Sequence, residues 1–271
     1  MRVRCYGDRG PAVVLLHGGP AAPGTMAPVA RALAPTHRVW EPFQRGAGTE
    51  PLTVATHVDD LRALLDERLA GERPTLIGAS WGAMLALAFA AAHPQAARSV
   101  VLIGCGTFDP ASRAVFQRAV ERRCAGELAV DLAALNAAGL DPDERMARMG
   151  ALLLPAFSHD VLSGSDLELQ RCDARAHHET WQDMLGLQER DVYPAAFAAI
   201  GVPVLMLHGE ADPHPGASTR DVLRRYVPGL EYRELARCGH YPWLERRARD
   251  GFFAGLCAWL RRVEADASAG P

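Results

Sequence analysis

The chain has 271 residues, 49% of them hydrophobic, and a formal charge of −3 at pH 7. Such a length and apolar content fit one large α/β domain, or two small ones, with a sizeable core. The basic residues are scattered, which excludes a nucleic-acid-binding stripe.

In chain order, "PAVVLLHGG" is a short apolar run closed by glycines and predicts a buried strand with its exit loop. "TMAPVARALA" has helical spacing and "HRVWEPF" is strand-like. "VATHVDDLRALLDERLA" sets Val58, Leu61, Leu64, Leu65 and Leu69 on one face of an amphipathic helix. "PTLIGAS" predicts a strand, "WGAMLALAFAAAH" a buried helix ending near Pro94, and "RSVVLIGCG" a strand. That helix holds the longest apolar run, about a dozen residues, too short to cross a bilayer. "VPVLMLHGEAD" repeats the strand-then-glycine pattern, "DVLRRYV" is helical, "EYRELARCGH" strand-like, and "RRARDGFFAGLCAWLRRVEA" a terminal amphipathic helix. Apolar strands alternating with helices imply an α/β fold, a mostly parallel sheet with helices on both faces.

The alternation stops between about Thr107 and Tyr193, where the sequence is helical and richer in charge. An insertion between two sheet strands is expected to form a helical cap over the carboxyl ends of the strands. The expected organisation is a core from 1–106 and 195–264, a cap from 107–194 and a disordered tail from 265–271. The start "MRVRCYGDRG" lacks the apolar segment of a secretory signal. The six cysteines (5, 105, 124, 172, 238 and 257) form no C-x-x-C pair. Reduced thiols acting as small hydrophobes in the cytoplasm are therefore expected.

Gly78-Ala79-Ser80-Trp81-Gly82 fits G-x-S-x-G, follows a predicted strand and opens a predicted helix. A turn that sharp needs glycines beside it and lifts Ser80 Oγ clear of the sheet. It also leaves the Trp81 N–H at a helix start, free to bind an oxyanion. A serine hydroxyl needs a general base held by an acid. Asp212 in "HGEADPHP" and His240 in "RCGHYPW" each follow a predicted strand, in the order Ser, Asp, His. Rivals were weighed by position. Glu210 is nearer the strand end and is expected to point into the surrounding structure, and Asp109 is an acid after the neighbouring strand. His214 is too local to be the imidazole partner of Asp212, and His208 lies inside a strand as a core histidine. "LLHGGP" ends an early strand and offers a second oxyanion donor, the Gly19 N–H, with Gly18 close behind.

With these residues in place, the chain resembles the α/β-hydrolase superfamily over nearly its whole length, and within it the prolyl iminopeptidase branch. The resemblance rests on "HGGP" at 17–20, "QRGAG" at 44–48 and "GASWGAMLAL" at 78–87. It implies Ser80, Asp212 and His240 as a catalytic triad and the Gly19 and Trp81 amides as the oxyanion hole. It departs from the branch at Ala21, where HGGPG would end in glycine, and at Phe43, where DQRG would begin with aspartate. Cap acids of the branch hold the substrate's amino terminus; the acids here are Asp166, Glu168, Asp173, Glu179, Asp183 and Glu189. In "RAHHETWQDMLGLQ", Trp181, Met184 and Leu185 are expected to line the substrate pocket, while adjacent His178 and Glu179 would face apart on a helix. His177, His178, Glu179 and Asp183 are thus not expected to bind metal. Arg45 is expected to anchor its own loop.

The expected activity is acyl transfer on a small ester or amide, with a small-molecule or short-peptide substrate and no cofactor, metal, nucleic-acid or membrane partner. The alternatives are a carboxylesterase, lactonase or carbon–carbon bond hydrolase on the same fold, and a non-catalytic hydrolase-like receptor or interaction protein.

Overall fold

In the computed structural model the described residues are 1–20, 23–162 and 171–268. Seven strands form one sheet: β1 (Val3–Tyr6), β2 (Ala12–Leu16), β3 (Arg38–Pro42), β4 (Thr75–Ala79), β5 (Ser99–Ile103), β6 (Val204–Gly209) and β7 (Glu231–Leu235). Their spatial order is β1-β3-β2-β4-β5-β6-β7. Only β1 runs antiparallel, against β3, while the other neighbouring pairs are parallel.

Strands β2, β4, β5 and β6 are buried along their whole length because both faces are covered. Successive side chains leave a strand on opposite faces. Val14 and Leu16 therefore join a cluster with α2 (Val54–Leu69) and α3 (Trp81–Ala92). Val13 and Leu15 join a second cluster with α1 (Ala27–Leu33) and α9 (Arg249–Ser268). The edge strands β1 and β7 are mixed rather than continuously apolar, since each has one unpaired side.

Helix α2 buries the predicted face, Val58, Leu61, Leu64, Leu65 and Leu69. It starts where the Thr53 hydroxyl accepts the Thr56 N–H at 3.1 Å. Between β5 and β6 lie α4 (Pro110–Arg123), α5 (Glu127–Ala137), α6 (Pro142–Leu153) and α7 (Ala174–Glu189). Helix α8 (Gly216–Arg224) joins β6 to β7. Helix α9 continues through Ser268, so residues 265–268, expected in a disordered tail, extend the terminal helix; 269–271 lie outside the described residues. No helix among the described residues is long and apolar enough to cross a membrane.

Candidate active site

Ser80 stands between β4 and α3 with φ 54° and ψ −118°, a left-handed conformation that a side chain adopts only under strain. The two glycines of the motif are required by packing. A Cβ on Gly78 would sit 2.1 Å from the Gly82 carbonyl oxygen, and one on Gly82 would sit 2.0 Å from that of Leu16. The Ser80 N–H bonds the Ile103 carbonyl at 2.8 Å, which fixes the turn to the end of β5. The next residue, Gly104, lies against the His240 ring, where a Cβ would approach Nδ1 to 2.9 Å. Ser80 and His240 thus both pack against the end of β5. Among the described residues Ser80 Oγ makes no hydrogen bond.

His240 Nδ1 lies 2.7 Å from Asp212 Oδ2, both side chains being buried. A carboxylate only accepts, so Nδ1 carries the proton shared with Asp212. Burial pushes the Asp212 carboxyl up, but His240, His208 and His214 outweigh it and hold it well below its ordinary range. His214 contradicts its sequence reading. Its backbone N–H and Nδ1 lie 2.9 and 3.0 Å from Asp212 Oδ1, so it too is an imidazole partner of the acid. The turn after Asp212 folds back on itself, which spacing alone did not reveal. His208 is buried as expected and donates from Nε2 to the His214 carbonyl at 3.0 Å. Glu210 is exposed rather than inward-facing and accepts the Arg237 N–H at 3.1 Å. Asp109 caps α4 by accepting the Ser112 N–H at 2.9 Å.

Trp81 opens α3, where its N–H has no intrahelical acceptor. Its indole Nε1 donates to Gln44 Oε1 at 2.8 Å. Gln44 in turn donates its backbone N–H to His17 Nε2 at 3.1 Å and its side-chain amide to the His17 carbonyl at 3.0 Å. An imidazole that accepts at Nε2 is protonated at Nδ1, so His17 donates to the Gly18 carbonyl 3.0 Å away. Burial lowers the His17 pKa to about 4 and keeps this tautomer neutral. The Gly18 carbonyl and the Gly19 N–H belong to one trans peptide and point oppositely. The bond therefore turns the Gly19 N–H away from His17. Gly18 packs beside Ser80, with its Cβ position 3.1 Å from that of the serine. From α7, His177 Nδ1 donates to the Gly19 carbonyl at 2.6 Å, with the Pro20 carbonyl at 3.1 Å. Gln44 and His17 carry no functional signal in the sequence beyond membership of the quoted motifs, and His177 stands there only among residues not expected to bind metal.

Three of the cap acids are occupied. Asp173 accepts the N–H of Ala47 and caps α7 through Ala176, Glu179 accepts that of Leu52, and Asp183 that of Val54. Glu189 is exposed, and Asp166, Glu168 and Ala21 lie outside the described residues. Met184 has no exposed surface and packs in the core cluster that contains Trp81, Met84 and Phe108. Expected to line a pocket, it belongs instead to the buried stripe Ala176, Thr180, Met184 and Gln188, in which Thr180 bonds His57 of α2 and Gln188 donates to the Thr107 carbonyl. Trp181 and Leu185 are half-buried, and Arg45 pairs with Asp60, holding its loop as expected. His178 is exposed. Among the described residues, the one cluster of possible metal ligands is Asp212, His214 and His240 rather than the α7 histidines.

Residues 11–246 match the family described as alpha/beta hydrolase fold. The chain belongs to that family. This α/β hydrolase is 31% identical over 108 residues to the cis-3-alkyl-4-alkyloxetan-2-one decarboxylase of Shewanella oneidensis, spanning 37% of this chain and about a third (34%) of that protein. It is 27% identical over 215 residues to the 2-hydroxymuconate semialdehyde hydrolase of Pseudomonas sp. strain CF600, 78% of this chain and 69% of that one. Among solved structures, the enol-lactonase from Burkholderia xenovorans LB400 superimposes with a TM-score of 0.65 at 21% identity, covering 96% of each chain. A proline iminopeptidase from Mycobacterium smegmatis does so with 0.63 at 19%, covering 98% and 95%. Structures this distant show the fold alone, and they fit alike, so the iminopeptidase branch does not stand out. The family match supports an α/β-hydrolase-type enzyme.

Proposed function

We propose that this enzyme is a serine hydrolase of small carboxylic esters or lactones. The observation that carries the reading is the strained Ser80 turn packed at the same strand end as the buried Asp212–His240 pair. Ser80 Oγ attacks the substrate carbonyl while His240 Nε2 takes its proton. The oxyanion rests on the Gly19 and Trp81 N–H groups. His240 then protonates the leaving group, and water releases the acyl group by the same route. Asp212 keeps the imidazole in its working tautomer and stabilises the imidazolium. Trp181 and Leu185, half-buried on α7, line the entrance to the site in this reading.

Amide cleavage in the manner of a prolyl iminopeptidase is less well supported. Of the cap acids that could hold an amino terminus, Asp173, Glu179 and Asp183 already accept backbone N–H groups, and Glu189 is exposed. Carbon–carbon bond cleavage is the second reading, favoured by the likeness to a semialdehyde hydrolase along 78% of the chain. Initial rates on short-chain p-nitrophenyl esters, a γ-lactone, a vinylogous 1,5-diketone and proline p-nitroanilide separate these activities. Ester or lactone turnover that vanishes in Ser80→Ala is the expected result. Anilide turnover exceeding the esters would overturn the proposal.

A further inference from the structure

Asp212 serves two imidazoles, one on each oxygen. His240 Nδ1 lies 2.7 Å from Oδ2, and His214 Nδ1 lies 3.0 Å from Oδ1. The two rings stack with centroids 4.8 Å apart and planes 24° from parallel. On its other face His214 stacks on Phe116 of α4, at 4.0 Å and 18°, and Phe157 meets both histidines edge-on. The backbone N–H of His214 also reaches Oδ1, at 2.9 Å, so the carboxylate would keep its orientation without the side chain. The imidazole therefore adds something that the backbone bond does not already provide.

We propose that His214 is a positioning residue that divides the charge of Asp212 between two imidazoles and so lowers the pH at which His240 becomes an effective base. The inference rests on the triad reading of Asp212 and His240. A second N–H bonded to the carboxylate draws negative charge to Oδ1 and leaves less at Oδ2 to stabilise an imidazolium. His214 acts as a neutral donor, because burial lowers its pKa against the opposing pull of Asp212.

Other groups facing the pair leave this balance in place. From β6, His208 donates Nε2–H to the His214 carbonyl and lies 3.4 Å from Asp212 Oδ2. From α4, the Arg123 guanidinium is bound to the carbonyl oxygens of Ala156 and Ala211. Cys105 beyond β5, Tyr232 on β7, and Cys238 and Tyr241 beside His240 are all pushed up by burial and stay neutral.

The test is a titration of His240 in full-length protein, followed by imidazole nitrogen resonances in a Ser80→Ala background that needs no turnover. His214→Phe keeps a flat ring for the stack and removes the donor; His214→Leu removes both. The His240 midpoint is expected to rise by about half to one pH unit in either variant, with a matching shift of the acid limb of kcat/KM in the Ser80 enzyme. His214→Gln, whose amide can donate to Oδ1, is expected to return the midpoint towards that of the parent. A midpoint unchanged in both donor-free variants would overturn the proposal and leave His214 as packing. Failure of the hydrolase reading itself is seen separately, as absence of Ser80 labelling by a fluorophosphonate, while the titration still reports on His214.

Discussion

The indole N–H of Trp81 and the side-chain oxygen of Gln44 meet at 2.8 Å, joining the residue after the proposed nucleophile to the loop beyond β3. Through Gln44 the contact reaches His17 and the Gly18–Gly19 peptide. The two proposed oxyanion donors are thus tied by one chain of hydrogen bonds. Gln44→Ala cuts that chain without touching Ser80, Asp212 or His240. Its kcat is expected to fall about tenfold with KM nearly unchanged, a fraction of the hundred- to thousand-fold loss of a whole oxyanion donor. Steady-state kinetics on a p-nitrophenyl ester check this.

Ser80 pays for its exposure in backbone strain, of order 1–3 kcal/mol for a side chain held at positive φ. Ser80→Gly removes the side chain that makes this conformation costly. It is expected to abolish turnover while raising stability by about 1 kcal/mol, whereas Ser80→Ala abolishes turnover without that gain. Urea unfolding of the three proteins decides it.

His17 and His57 are buried, and desolvation lowers both to a pKa of about 4. The unfolded chain takes up these protons near the ordinary value of 6.5, and the folded one only near 4. Between those limits the unfolded state binds more protons, so stability falls as pH drops through the window. The loss approaches ~3 kcal/mol per imidazole at its acid end. His57→Gln, whose amide can still bond Thr180, is expected to flatten the slope of unfolding free energy from pH 6.5 to 4.

Asp183 bonds the Val54 N–H at 2.7 Å, and Val54 is the first residue of α2. Asp183→Ala leaves that N–H without its partner and is expected to cost about 1–3 kcal/mol. If Asp183 instead anchored a substrate amine, the change would raise KM for an amino-terminal substrate and leave the unfolding midpoint in place. Chemical denaturation beside kinetics on proline p-nitroanilide separates the two.

The sheet was legible because β2, β4, β5 and β6 are buried on both faces and so read as continuous apolar runs. The stripe on α2 was legible because the core selects one face of a helix. Ser80, Asp212 and His240 could be proposed together because each follows a strand whose end the topology places with the others. Side-chain traffic across the chain was not legible. Nothing local marks Asp173 or Glu179 as partners of N–H groups more than a hundred residues away. Met184 looked like pocket lining because an apolar residue on a cap helix carries no sign of which side it faces. His214 was set aside for closeness in sequence, yet a turn with proline on both sides of it brings its ring back to Asp212.

The helices inserted between β5 and β6 are unequally fastened. α6 buries no residue fully, α5 buries only Leu135, and α4 only Ser112 and Ala119, whereas α7 buries a four-residue stripe. α7 is also bonded through side chains to the loops at 19–20 and 47–54. In engineering terms, residues 110–153 form an exchangeable cassette and α7 belongs to the chassis. A foreign segment grafted between Asp109 and Leu154 is expected to change what the proposed site admits while leaving the loop at 17–20 in place. Such a graft must also replace the Phe116 ring over His214, the Arg123 bond to the Ala211 carbonyl, the Arg113 bond to Gln188 and the Asp143 bond to the Ala174 N–H.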